Sequence, residues 1–216
     1  VTDGSYREGA RLVAPIAIAV FAFGVTFGVL ARAAGMGIAP PLVMSATTFA
    51  GSAQFAVVSI VGAAGSSATA IVAALLLNAR YVPIGVSVAR RFSGGPLRRL
   101  LGAQLVVDES WAIASRRGFD FRILVGAGAV LYVSFLGGTA IGVFGGSALG
   151  DPARLGLDAA FPALFLALLI PQIRTRHALA AALAAAVIAL ALIPVSAPGI
   201  PIVAASVACL VGWRRG

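Results

Sequence analysis

Residues 75–85 read LLLNARYVPIG. Asn78 and Arg80 stand inside an otherwise apolar stretch, with Pro83 three residues further on. Arginine is a permanent cation whose planar fork of donors matches a carboxylate. Pro83 lacks the N–H that would bond the carbonyl of Ala79, and its ring crowds that carbonyl. The helix should bend there and expose polar backbone beside Arg80. A second stretch, TTFAGSAQF over 47–55, gathers Thr47, Thr48, Gly51, Ser52 and Gln54 around Phe49 and before Phe55. Gly51 and Ser52 are poor helix formers and frequent at helix breaks. A broken helix frees backbone N–H groups, which suit an anionic ligand group; the plainer reading is small-residue helix packing. The groups that can change protonation are fewer. Asp108 and Glu109 are adjacent, Asp158 opens LGLDAAFPALF, and His177 is the single histidine. Asp158 also reads as an ordinary helix N-cap, and Asp108 and Glu109 as partners of nearby arginines.

Such side chains mean different things in water and in lipid. The chain has 216 residues, of which 60% are hydrophobic and 11% charged, and its mean hydropathy is +1.03. Soluble domains run at about 45–50% apolar and about 25% charged. A soluble fold of this size has no place to hide so much apolar surface, so the chain reads as an integral membrane protein. The net charge of +9 would suggest nucleic acid in a soluble protein. Here the basic residues cluster between apolar runs, which favours membrane topology and excludes a nucleic-acid partner. All sixteen basic residues are arginine; without a lysine the chain cannot carry a retinal Schiff base.

A spanning helix needs about 20 mostly apolar residues. Seven runs approach that length, at 12–34, 41–63, 67–89, 123–147, 156–172, 177–194 and 198–213. Residues 96–117 differ: arginine pairs bound them and Asp108 and Glu109 interrupt them. They read as an interfacial or re-entrant helix. The expected fold is therefore all-α, a polytopic helical bundle of about seven spans in one domain, 1–216. FAGSAQFAVVSIVG in run two resembles FPALFLALLIPQI in run five, so runs 1–3 and 4–6 read as two three-helix units. An odd number of crossings per unit would make them inverted repeats.

The connection from 90 to 122 carries seven arginines, which marks it as cytoplasmic. Arg32, Arg174, Arg176, Arg214 and Arg215 fall on the same side if seven runs cross. The C-terminus is then cytoplasmic and the N-terminus outside. Arg7 and Arg11 conflict with that, unless the acidic Asp3 and Glu8 accompany a true outside terminus or one early run is a re-entrant hairpin. Arg80 lies about 15 Å of helix from residue 90, too far to reach that surface easily, and intramembrane charges usually face a bundle interior or a cavity.

No enzyme, metal site or cofactor is expected. The sequence has no G-x-S-x-G, no paired histidines and no metal-ligand cluster.

GVTFGVLARAAG, SATTFAGSAQFAVVSIVGAAGS, LLLNARYVPIGVSVA, DESWA and LGLDAAFPALFLALLIPQI together resemble the AzlC/YgaZ family of branched-chain amino acid exporters. The resemblance covers nearly the whole chain, and FAGSAQF and N-x-R are its most specific parts. Tyr81, Val82 and Pro83 depart from the His-Leu-Leu-like residues expected of relatives. The resemblance implies export of valine, leucine, isoleucine and, at the margin, methionine across a bacterial inner membrane. It also implies a small hydrophobic membrane partner of the AzlD/YgaH type. A substrate site is expected at Gly51, Ser52, Gln54, Phe55, Asn78 and Arg80. Proton coupling is expected through Asp158, Asp108 or Glu109, because uphill export of a neutral zwitterion needs a counterflow. A passive channel for zwitterions and a non-transporting assembly subunit remain the alternatives.

Overall fold

A computed structural model describes residues 4–90, 92, 95–146, 166, 169–170, 173–197 and 199–208. Among them the regular structure is entirely helical. Two helices, α1 (Tyr6–Ala33) and α8 (Phe121–Gly145), are long and apolar enough to cross a membrane. Between them lie α2 (Ala39–Thr47), α3 (Gly51–Gly62), α4 (Ser67–Asn78), α5 (Tyr81–Ala89), α6 (Pro96–Gln104) and α7 (Asp108–Ser115). After α8 come α9 (Arg176–Leu192) and α10 (Ile200–Ala205). Most of the fifth run, Asp158 within it, and the end of the seventh from residue 209 lie outside the described residues.

α1 and α8 form the most extensive helix pair. Glycines line the contact on both sides. A Cβ added at Gly9, Gly24 or Gly28 would strike the backbone near 123–127, 135–139 and 139–143. Gly126, Gly138 and Gly142 are closed off in the same way by the backbones of Tyr6, Phe21 and Val25. Only residues without a side chain allow helices so close. Contact positions rise together along both helices, so the pair runs parallel. Asp120 caps the start of α8 by accepting from the N–H groups of Arg122 and Ile123, and also takes the N–H of Gly4. Burial alone would raise its pKa. The bonds from Ile123, Arg122 and Gly4, with the charge of Arg122, outweigh that and hold the carboxyl below its usual value.

The parallel pair overturns two expectations. Inverted three-helix units would set α1 and α8 antiparallel, so runs 1–3 and 4–6 are not related in that way. The N-terminus also lies at the same end of the bundle as the arginine-rich connection, not opposite to it: Glu8 and Arg117 pair at 2.9 Å.

Run two is no through-crossing. α2 descends from the C-terminal end of α1 until Ser45 meets Thr139 and the carbonyl of Ala46 accepts from Tyr132. The chain turns at Phe49, whose φ is +43°. α3 then climbs back, setting Phe55 against Phe27 and Gly62 against Ala34. The segment is a hairpin with both ends beside Ala34. Hydropathy cannot distinguish this from a span, because both are continuous apolar runs.

α4 and α5 meet at a break bent by 43° and together are long enough for one span. The bend sits at Ala79–Arg80, as the proline argument requires. Residues 96–117 form a second hairpin, in line with the re-entrant expectation. Gly102 lies by Phe121, Leu105 by Gly128, and α7 returns until Ala114 packs near Leu124. The two hairpins enter from opposite ends of the bundle and meet near the middle of α8. Gln104 Nε2 joins their tips by donating to the carbonyls of Ala46 (3.3 Å) and Thr47 (3.0 Å).

The α1–α8 contact gives a direct test. Gly28→Val should prevent recovery of folded protein, since overpacking already costs about 1–3 kcal/mol where side chains can move and here backbone is struck. Gly137→Ala has open space around its new methyl group and should leave the detergent melting temperature unchanged or slightly higher. Equal recovery and melting of the two variants would contradict the close parallel pair.

Candidate functional site

The break between α4 and α5 places Arg80 where both hairpin tips converge. Its Nη2 donates to Ser52 Oγ at 2.9 Å and lies 3.2 Å from Asp108 Oδ2. Ser52 is in the first turn of α3 and Asp108 begins α7. One guanidinium therefore bridges the bent span and both hairpins. Its carbon also lies 5.2 Å from the centre of the Tyr81 ring, a cation–π distance. The Arg80 and Asp108 side chains are each 41% exposed, so the pair is open to a ligand and not sealed.

These groups face a small pocket of ≈ 100 Å³ that opens to the protein surface. Ser52, Arg80, Tyr81, Asp108 and Glu109 supply its polar side. Val20, Phe23, Phe49, Phe55, Leu131 and Phe135 supply an apolar wall, and Gly51 and Val107 complete the lining. Helix ends add to the charge pattern. α3 starts at Gly51 without a side-chain cap, so its first N–H groups and positive dipole end lie beside Ser52. α7 starts with Asp108 and Glu109, carboxylates that its own dipole favours. Cation and helix end on one side face two acids on the other.

A second pocket, of ≈ 400 Å³, lies on the side toward the arginine-rich end. Val88, Phe92, Arg99 and Gln104 line it, and it shares Phe49 and Tyr81 with the first. Those two aromatic residues stand between the pockets.

Of the residues expected at the site, Gly51, Ser52, Phe55 and Arg80 line the pocket, as do the acids Asp108 and Glu109. Gln54 does not. It is fully buried and braces the first hairpin. Its Oε1 accepts from Ala50 N–H, and its Nε2 donates to Ser45 Oγ. Ser45 in turn bonds Thr139, whose hydroxyl donates to the carbonyl of Phe135. Polarity within the apolar run signalled that Gln54 faces inward, but not toward which neighbour. Asn78 is also absent from the lining; its side-chain oxygen is buried without a hydrogen-bond partner among the described residues. Tyr81, Phe135 and Leu131 were missed, since an aromatic or aliphatic residue in a greasy helix carries no signal of a cavity.

The AzlC protein family matches residues 15–149 of the chain. An uncharacterized membrane protein of Archaeoglobus fulgidus is 32% identical over 213 residues, covering 96% of this chain and 94% of its own. The inner membrane protein YgaZ of Escherichia coli is 28% identical, over 82% of this chain and 77% of its own. The branched-chain amino acid transport protein AzlC of Bacillus subtilis is 25% identical, over 78% and 68%. No solved structure matches. The helical pair, the broken segments between them and these relatives identify one kind of molecule: the chain is a membrane protein and belongs to the AzlC family.

Proposed function

We propose that the protein is the large subunit of an exporter of branched-chain amino acids, working by proton antiport with a small hydrophobic AzlD/YgaH-type partner. The observation that carries this reading is the pocket where Arg80, Ser52, Asp108 and Glu109 face an aromatic and aliphatic wall. A branched-chain amino acid presents the matching set: a carboxylate, an ammonium and an apolar side chain. The name of the Bacillus subtilis relative supports the substrate class.

In this reading α1, α8 and the bent α4–α5 pair cross the bilayer, and the two hairpins are re-entrant. Irregular backbone at membrane depth is tolerated only where protein or a water-filled cavity covers it. Both tips satisfy that, being packed on each other and on the pocket. The end that carries Arg7, Arg11, Arg90, Arg98, Arg99, Arg116, Arg117 and Arg122 is cytoplasmic, and so is the N-terminus. The larger pocket then forms a cytoplasmic vestibule, on the side from which an exporter takes its substrate.

Valine and leucine carry no net charge, so the membrane potential alone cannot drive their uphill export. A counterflow of protons needs a group that changes protonation, and arginine does not. Glu109 is the first choice. It lines the pocket and forms no ion pair among the described residues. Asp108 is engaged by Arg80, and Asp158, outside the described residues, is the second choice.

Reconstitution tests the whole reading. Proteoliposomes containing the chain and its partner should release labelled valine faster under an imposed pH gradient; no release with or without the partner would favour an assembly role. Arg80→Ala should lower valine efflux about tenfold or more, the size of one charged hydrogen bond, while still inserting. Arg80→Lys should recover little, because an ammonium lacks the fork; normal efflux by the alanine variant would remove Arg80 from the path.

Coupling is read separately. Glu109→Gln should keep downhill valine exchange and lose acceleration by the gradient, and Asp158→Asn should keep both. If Asp158→Asn alone loses the acceleration, the proton travels through Asp158; if the parent shows none, the protein is a passive channel.

Topology follows from single cysteines in a Cys209→Ala background. An impermeant reagent applied outside intact cells should label Ala63→Cys and spare Arg7→Cys and Arg116→Cys. Labelling of Arg7→Cys together with protection of Arg116→Cys would restore an outside N-terminus.

A further inference from the structure

The Arg80–Asp108 pair has a place in binding that neither residue has alone. We infer that Asp108 occupies Arg80 when the site is empty, and that an α-amino acid inserts between them. Its carboxylate takes Arg80, Ser52 Oγ and the open start of α3, and its ammonium takes Asp108. The inference rests on the amino acid transport reading and deepens it by assigning the two polar ends of the substrate.

Three features support the exchange. The Arg80 and Asp108 side chains touch through a single 3.2 Å contact and both remain partly exposed on the pocket. Nothing else described pins Asp108, whereas Arg80 is held on the other side by Ser52. A guanidinium offers two parallel donors to a carboxylate, and this single contact leaves that geometry unused. In an α-amino acid the carboxylate and ammonium are carried on one carbon, so a closely spaced cation and anion are what the ligand replaces. The aliphatic side chain then points away from both, toward Phe23, Phe55, Leu131 and Phe135, which line the same pocket.

The exchange makes Asp108 a specificity residue. It rewards an ammonium and repels a ligand that has only a carboxylate. A 2-oxo acid with the same side chain satisfies Arg80 but leaves Asp108 facing a second anion. A primary amine satisfies Asp108 but leaves Arg80 without a replacement carboxylate.

Competition against labelled leucine in proteoliposomes of the intact protein with its partner tests this, using L-leucine, 4-methyl-2-oxopentanoate and 3-methylbutylamine. In the parent, leucine should compete better than either analogue by about tenfold or more, the worth of one charged hydrogen bond. In Asp108→Asn, the preference for leucine over the oxo acid should shrink by about tenfold on the same basis, while leucine transport persists at reduced affinity. The preference over the amine should change less. Because each ratio is measured within one preparation, a lower yield of the variant does not enter. An unchanged leucine-to-oxo-acid ratio in Asp108→Asn overturns the exchange while leaving amino acid transport intact. If Asp108→Asn does not fold, the parent decides: an oxo acid competing as well as leucine overturns the inference. A parent that transports no leucine at all overturns the transport reading itself.

Discussion

The architecture depends on the backbone contact between α1 and α8. Glycines on both helices bring the two main chains together, and they run parallel. Parallel helices joined by a connection impose a rule on it: the intervening chain must return to the end from which α1 set out. A simple series of three further crossings would also do so. Among the described residues one bent pair, α4–α5, is long enough for a single span, and the other segments between α1 and α8 form hairpins that each return to their own end. Those hairpins supply helix ends at mid-depth, which through-going helices never offer. The convergence of Ser52, Arg80 and Asp108 is thus a consequence of glycine packing some distance away.

The same arrangement explains how an arginine survives in so apolar a chain. A central arginine costs about 2.5–3.5 kcal/mol on insertion scales. Asp108, Ser52 and the Tyr81 ring all face its guanidinium. These contacts offset the penalty only because the chain is broken at three places near one point. Had α2–α3 run straight, Ser52 would lie on a helix flank, its neighbouring N–H groups spent in the helix.

The site was more legible in the sequence than the path of the chain. Asn78–Ala79–Arg80 before Pro83 announced a bend, and the structure has it at that point. Gly51 and Ser52 announced a break, and α3 begins there. Polarity in a greasy segment is locally informative, because burial of each polar group demands a partner. Direction is not local. Residues 41–63 have the hydropathy of a span whether they cross or fold back, and Phe49 in a left-handed conformation gives no warning by residue type. The conflict over Arg7 and Arg11 was the one long-range clue, since charge sorting reports the end at which a segment lies. It resolved in favour of a hairpin. Gln54 and Asn78 show the opposite limit: both are polar and inward, yet one braces a hairpin and the other has a buried oxygen with no partner among the described residues.

The two hairpins are held unequally. α3 buries Ser52, Ala53, Gln54, Phe55, Ala56, Val58 and Ile60, and the Gln54–Ser45–Thr139 chain ties its tip to α8. Phe27 and Phe135 stack behind it. In the second hairpin α6 buries only Gly102 and exposes Leu97, Leu100 and Leu101, while α7 buries Ser110 and Ala114. Its tip is joined to the first by the Gln104 bonds and, through Arg80, by the Asp108 contact. If Asp108 leaves Arg80, as in the proposed exchange, the two Gln104 bonds still join the tips.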